Sequence, residues 1–268
     1  MRIFSIKDDF VSPDTILGYL IYYEIPKAFY VELPDNADFW ETPPILSSFV
    51  ERNQYTVSSS WSRRWVQQRI VPRDRQNIIQ ILRDNGLKEY DEFSLLMLAM
   101  GRCEQDDCYL EEVNDIPEFL EHRWQNKVAD VLPLESPRLM VFFRNGQTKI
   151  VNVQEMNISA CKPHIAKQQR FNTVEVQTDG FGVYWNDEAA ISYQKLFASG
   201  VEIPVTLQDI HSFVKERLVN APEACKLLEC SRQNIDDLVK RNKLHPVRTD
   251  TKQKLFAKAE VMQRMKRD

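Results

Sequence analysis

The chain has 268 residues, 43% of them hydrophobic, and a formal net charge of -4, which admits one large folded domain or two to three small ones. No segment approaches the ~18 consecutive apolar residues that span a bilayer. The opening "MRIFSIKDDF" lacks the apolar core and cleavage site of a secretory leader, so a cytoplasmic location without a membrane partner is expected.

The five cysteines fit that location as reduced, buried thiols. Their spacings, Cys103 to Cys108 and Cys225 to Cys230, are not zinc spacings, and none of the four histidines stands four residues from another. No metal and no cofactor is expected. Charge divides the chain unevenly. Residues 1–205 hold 21 Lys/Arg and 30 Asp/Glu, whereas residues 206–268 hold 14 and 9. A basic end on an acidic body points to a nucleic-acid-facing terminus, against the plainer reading of solvated surface charge.

In chain order, "ILGYLIYYEIPKAFYVEL" holds two apolar, strand-forming runs around a Pro-containing turn, a hairpin. A helix is expected in "PRDRQNIIQILRDNG", with Ile78, Ile79, Ile81 and Leu82 at helical spacing, Pro72 near its start and Gly86 past its end. "DEFSLLMLAMG" predicts another, capped by Asp91 and stopped by Gly101. This region resembles the N-terminal part of HipA-type toxin kinases through Arg69, Pro72 and Arg75 and through "YDEF" and "GR". No glycine-rich phosphate loop or Mg²⁺-binding Asp motif comes after it, so kinase activity is not carried over.

The charged stretch from Glu111 to Pro137 holds three prolines and reads as a joint, with a domain boundary near Leu134 to Pro137. Next, "RLMVFFRNGQTKIVNV" predicts a hairpin turning at Asn145-Gly146, a pair suited to positive φ at both turn positions. "TVEVQTDGFGVYW" predicts a second, turning at Asp179-Gly180. Beyond it, Asn186 or Asp187 is a candidate cap for the segment "NDEAAISYQKLFASG", which ends at Gly200. These features, with the closing "ISYQKLFASG", resemble a small bacterial family, domain of unknown function 2442. The resemblance implies a small cytoplasmic α+β domain without established catalysis, of a kind found joined to helix-turn-helix units and near toxin–antitoxin genes.

The last 50 residues carry the densest pattern. Asn220 predicts a helix cap with Glu223 as its reciprocal partner, and Ala224, Leu227 and Leu228 share one face. Ser231 predicts a second cap, before a helix with Ile235, Leu238 and Val239 as its buried stripe. Two short helices joined by a tight turn describe a helix-turn-helix, whose second helix enters the major groove by its N-terminal residues. That exposes Arg232, Gln233 and Asn234, residue types that pair with guanine and adenine edges. Ser231 and the helix N-terminus suit phosphate, and Lys240, Arg241 and Lys243 suit the DNA backbone. A hairpin comes next, carrying Arg248, Lys252 and Lys254, then a helix from about Ala257. In order, Ala224, Leu227, Leu228, Ser231, Ile235, Leu238, Val239, Leu244, Pro246 and Val247, with Phe256 closing the hairpin, resemble the excisionase/MerR-type winged helix-turn-helix superfamily. The resemblance implies that the second helix reads the major groove and the wing lies along the minor groove or backbone.

Two features depart from that pattern. Glu229 stands in the turn where glycine is common, and Asp236 and Asp237 lie in the reading helix, where they can pair with Lys240 and Arg241. His245 reads as a turn residue. The paired aspartates Asp8-Asp9 and Asp106-Asp107 have no third ligand in suggestive spacing, and Ser58-Ser59-Ser60 lacks a G-x-S-x-G context. No catalytic residue is assigned.

The expectation is therefore an α+β multidomain protein: a mixed N-terminal domain (1–135), a small hairpin-rich domain (138–205) and a winged helix-turn-helix (206–268). Double-stranded DNA is the expected partner. A homodimer would span two half-sites, and the acidic front would bind a protein partner or mediate self-association. A protein-interaction module, such as a toxin–antitoxin accessory, is the alternative.

Overall fold

The computed structural model describes all residues except 13, 187–188, 250–253 and 266–268, and leaves undescribed the side chains of residues 259 and 263–265. The described residues form an α+β structure of small antiparallel sheets and short helices. They fall into two compact units: Met1–Asn145 with Lys149–Val201, and Gly146–Thr148 with Glu202–Asp268.

In the first unit, β1 (Arg2–Asp8), β2 (Gly18–Tyr23) and β3 (Ala28–Glu32) pair as neighbours. The expected hairpin is thus β2–β3. Helix α1 (Pro44–Val50), β4 (Thr56–Val57) and α2 (Ser59–Gln67) come next. After α3 (Ile78–Asp84) and α4 (Glu92–Leu98), β5 (Cys108–Val113) returns beside β1. The sheet order is β4-β3-β2-β1-β5. Asp91 caps α4 by accepting from the Ser94 N–H at 2.9 Å.

Alternation along the strands covers both faces of this sheet. Phe4, Ile6, Leu20, Tyr22 and Val31 face a core completed by Leu46, Trp65 and Leu96. Ile3, Tyr19, Ile21 and Tyr30 face a second core. Burial on two sides explains why β2 reads as an unbroken apolar run.

Helix α5 (Glu118–Trp124), β6 (Val128–Pro133), β7 (Arg138–Phe143) and β8 (Thr148–Asn152) succeed them. Two one-turn helices are next, α6 (Lys162–Ile165) and α7 (Gln168–Phe171), then β9 (Glu175–Val176), β10 (Gly182–Tyr184), β11 (Ala190–Ser192) and α8 (Tyr193–Ser199). The boundary expected near Leu134 to Pro137 does not divide two cores. Leu139, Val141, Phe171, Phe181 and Leu196 share a cluster with Ile3, Ile21 and Tyr30 of the N-terminal sheet.

Several local expectations shift. Helix α3 begins six residues after Pro72 and buries no side chain, and its Ile79 is 64% exposed. At Asn145-Gly146 only Gly146 has positive φ. Both turn positions are left-handed instead at Asp179 (φ 50°) and Gly180 (φ 76°). A Cβ on Gly180 would stand 2.2 Å from the Val128 carbonyl oxygen, which excludes any other residue there unless the backbone moves. Asn186 does make the local capping contact expected of it, its side chain accepting from the Ala189 N–H, while α8 is capped by Ser192. Asp187 lies outside the described residues. Cys108 and Cys161 are buried, but Cys103, Cys225 and Cys230 are only half-buried.

Two polar networks sit in the first unit. Glu32, fully buried, accepts from Thr56 Oγ1 at 2.6 Å, Arg123 Nη1 at 2.8 Å and Trp124 Nε1 at 2.9 Å. Burial pushes its carboxyl up, opposed by Arg123 and these donors. In the second, Asp179 accepts from Lys127 Nζ at 2.8 Å, from Arg144 Nη2 at 2.5 Å and from the Tyr23 hydroxyl. Arg69, part of the kinase-like run, is buried: it pairs with Asp106 and lies 3.8 Å over the Trp65 ring.

The second unit holds α9 (Leu207–Arg217), which comes after β12 (Val201–Ile203), then β13 (Leu218–Asn220), α10 (Ala221–Leu227), α11 (Arg232–Lys240), β14 (Pro246–Arg248), β15 (Leu255–Ala257) and α12 (Lys258–Met265). Strand β15 lies between β13 and β14. Among the described residues no helix is long and apolar enough to cross a membrane.

Candidate nucleic-acid interface

The candidate surface is built on a small core of Val219, Ala221, Ala224, Ile235, Leu244, Phe256 and Val261. Strands β13 and β15, helices α10, α11 and α12 and the turn at Leu244 each contribute one or two of these side chains, so these short elements depend on one another. Local chemistry sets the helix ends. Asn220 Oδ1 accepts from the Glu223 N–H at 2.9 Å, and Glu223 Oε2 accepts from the Asn220 N–H at 2.8 Å, the reciprocal pair expected from sequence. Helix α10 ends at Leu227 with Leu228 as its C-cap, and Glu229 turns the chain with φ 50°. That conformation costs a non-glycine residue about 1–2 kcal/mol. The Cys230 N–H closes the turn on the Cys225 carbonyl at 3.1 Å. Burial pushes the Cys230 thiol up, which keeps it protonated as a packing residue.

Ser231 caps α11, its Oγ accepting from the Asn234 N–H at 3.3 Å. Ile235 is 1% exposed and anchors the helix. Leu238 and Val239 are half-buried beside it. Because the inward side is defined by Ile235, the first turn points elsewhere: Arg232, Gln233 and Asn234 are all exposed. Lys240, Arg241 and Lys243 are exposed at the other end of α11, and Arg248 is exposed on β14.

Lys254, expected on the hairpin as a contact to DNA, behaves differently from expectation. It is half-buried and donates to Asp236 Oδ1 at 2.8 Å, tying the chain just before β15 to the middle of α11. The Lys254 ammonium holds the Asp236 carboxyl below the usual carboxylate range. Asp236 therefore does not pair with Lys240 as expected. Asp237 does, loosely, at 4.0 Å. Lys252 lies outside the described residues. His245, expected as a plain turn residue, is bound to Glu260, with Nδ1 2.8 Å from Oε1 and its backbone N–H donating to the same oxygen at 3.1 Å.

Sequence reasoning missed three features here. Strand β13 is short and pairs with the distant β15, with Val219 opposite Phe256. The Lys254–Asp236 bond spans 18 residues and has no local signal. Helix α9 did have one, because Thr206 and Asp209 form a full capping box. Among the described residues no cluster of three or more His, Cys, Asp or Glu side chains is placed to hold a metal ion. Comparison with protein-family models, with curated proteins and with solved structures found no significant match.

Proposed function

We propose that the protein binds double-stranded DNA and regulates transcription in a bacterial cytoplasm, with helix 232–240 in the major groove. On this reading the second unit is a winged helix-turn-helix of the excisionase/MerR type, and the regulated genes belong to a toxin–antitoxin-like operon. One observation carries the proposal. The anchor Ile235 is 1% exposed while its three preceding neighbours, Arg232, Gln233 and Asn234, are exposed together on the first turn of a capped helix. That placement suits bidentate pairing with guanine and adenine edges.

Ser231, Lys240, Arg241, Lys243 and Arg248 are assigned phosphate contacts that fix register and contribute salt-dependent affinity. Lys254 is assigned an indirect part, holding β15 against α11 through Asp236. A homodimer places two copies of helix 232–240 about one DNA turn apart. The acidic remainder is assigned to a protein partner or to self-association.

A second reading has its own support. Asp236 and Asp237 put two carboxylates on α11, and anionic side chains are repelled by phosphate, which favours docking of a protein through the same fold. Selection of duplexes from a random pool by the full-length protein separates the two. A recurrent, palindromic enriched motif supports the DNA reading; recovery no better than from empty beads at low salt supports protein docking.

A further inference from the structure

The first unit contains a cavity of about 500 Å³ between the start of α2 and the Thr178–Gly180 turn. The charge of its lining is opposite to that of the chain around it. Residues 1–205 carry nine more acids than bases, yet no Asp or Glu lines the cavity among the described residues, whereas Arg63 and Arg64 both do. Hydroxyls of Ser59, Thr178 and Tyr30 and the amide of Gln177 complete the polar wall.

The wall is held from behind. Tyr30 is 3% exposed and stacks on Phe181 at 3.7 Å between ring centroids. Burial pushes its hydroxyl up to about 12, opposed by the Thr178 and Ser59 hydroxyls beside it, so it stays neutral. Asp179, next in sequence to Thr178, is a near carboxylate, but Lys127, Arg144 and Tyr23 engage it. Gly182 fixes the strand behind the turn, since a Cβ there would stand 2.2 Å from the Ile191 carbonyl oxygen.

The two guanidinium groups differ. Arg63 Nε is engaged by Glu92 at 2.7 Å, which offsets its charge and leaves Arg64 as the main cation of the lining. Arg64 lies over the Trp61 ring, 4.7 Å from its centroid. Stacking uses the face of a guanidinium and leaves its edge for a bidentate oxyanion. We propose that this cavity binds a small molecule through an oxyanion group, phosphoryl or carboxyl, held by Arg64 together with the hydroxyls of Ser59 and Thr178. This assignment is independent of DNA binding.

Heat unfolding of the full chain tests it, with inorganic phosphate and with acetate as separate probes against chloride at matched ionic strength. A saturable rise in midpoint with phosphate identifies a phosphoryl ligand, and one with acetate identifies a carboxyl ligand. Arg64 is exposed, so Arg64→Ala should leave the ligand-free midpoint unchanged while weakening the response about 10-fold or more; Arg64→Lys should retain part of it. A rise that never saturates, no rise with either anion, or an equal response in Arg64→Ala overturns the proposal.

Discussion

Lys254, the residue just before β15, donates to Asp236 in the middle of α11 at 2.8 Å. This bond joins a cation that the DNA reading would otherwise place at the backbone to a carboxylate that DNA would repel. The pair cancels itself electrostatically while fixing the hairpin against the helix. Substituting Asp236→Asn removes the negative charge while keeping an oxygen that accepts from Lys254, so the hairpin stays held and the Lys254 charge is no longer offset. DNA affinity is expected to rise about 3- to 10-fold at low salt, with the gain fading as salt screens it. Fluorescence anisotropy with a selected duplex reads this directly, and unchanged or weaker binding contradicts it.

Packing beneath that face makes a different demand. Ile235 belongs to a core of few side chains, so Ile235→Ala should destabilise the second unit by about 2–5 kcal/mol. DNA binding would then be lost through unfolding. Urea denaturation followed by far-UV circular dichroism checks it. A variant that loses binding with an unchanged midpoint would mean that Ile235 is not the anchor described.

The Asp179-Gly180 turn tests the first unit. Gly180 has φ 76°, and a Cβ would press to 2.2 Å on the Val128 carbonyl oxygen. Gly180→Ala should cost about 2 kcal/mol or more, since backbone must move to admit it. At Gly146, where nothing lies within 4 Å of an added Cβ, the cost is limited to the left-handed conformation, about 1–2 kcal/mol. Parallel urea titrations should rank the two variants in that order.

Lys127 supplies a pH signature. Its side chain is fully buried, 3.7 Å from the ring centres of both Trp124 and Phe181, and burial lowers its ammonium to about 8, against the pull of Asp179. Between pH 8 and the ordinary lysine value near 10.4, the unfolded chain holds a proton that the folded chain has released. Stability therefore gains a contribution that rises with pH across that window. Lys127→Met removes this contribution. The stability of the native protein relative to Lys127→Met should increase between pH 8 and about 10 by roughly 1–3 kcal/mol. A difference that stays flat would show that Lys127 remains charged beside Asp179.

The second unit was legible because its signals are local. Asn220 with Glu223, Ser231 before Ile235, and the apolar stripe all act within a few residues of one another. The first unit was less so. Strands such as β2 are apolar on both sides, and nothing in the run says that Tyr19 and Ile21 share a core with Phe181 and Leu139, far along the chain. Pro133 and Pro137 read as part of a linker, yet Pro133 ends β6 and Pro137 lies between it and its paired strand β7. Lys254 looked like a phosphate contact because charge is visible in sequence and its partner is not.

The central claim concerns the first turn of α11, and Arg232→Ala tests it most directly. Full-length native protein and the variant are titrated with a selected duplex across a salt series. The native protein should lose affinity steeply with salt, and Arg232→Ala should bind about 5- to 150-fold more weakly and with relaxed base preference, at an unchanged unfolding midpoint. Native protein that fails to bind duplex at low salt, or a variant that binds as tightly and as selectively as the native chain, would contradict the account.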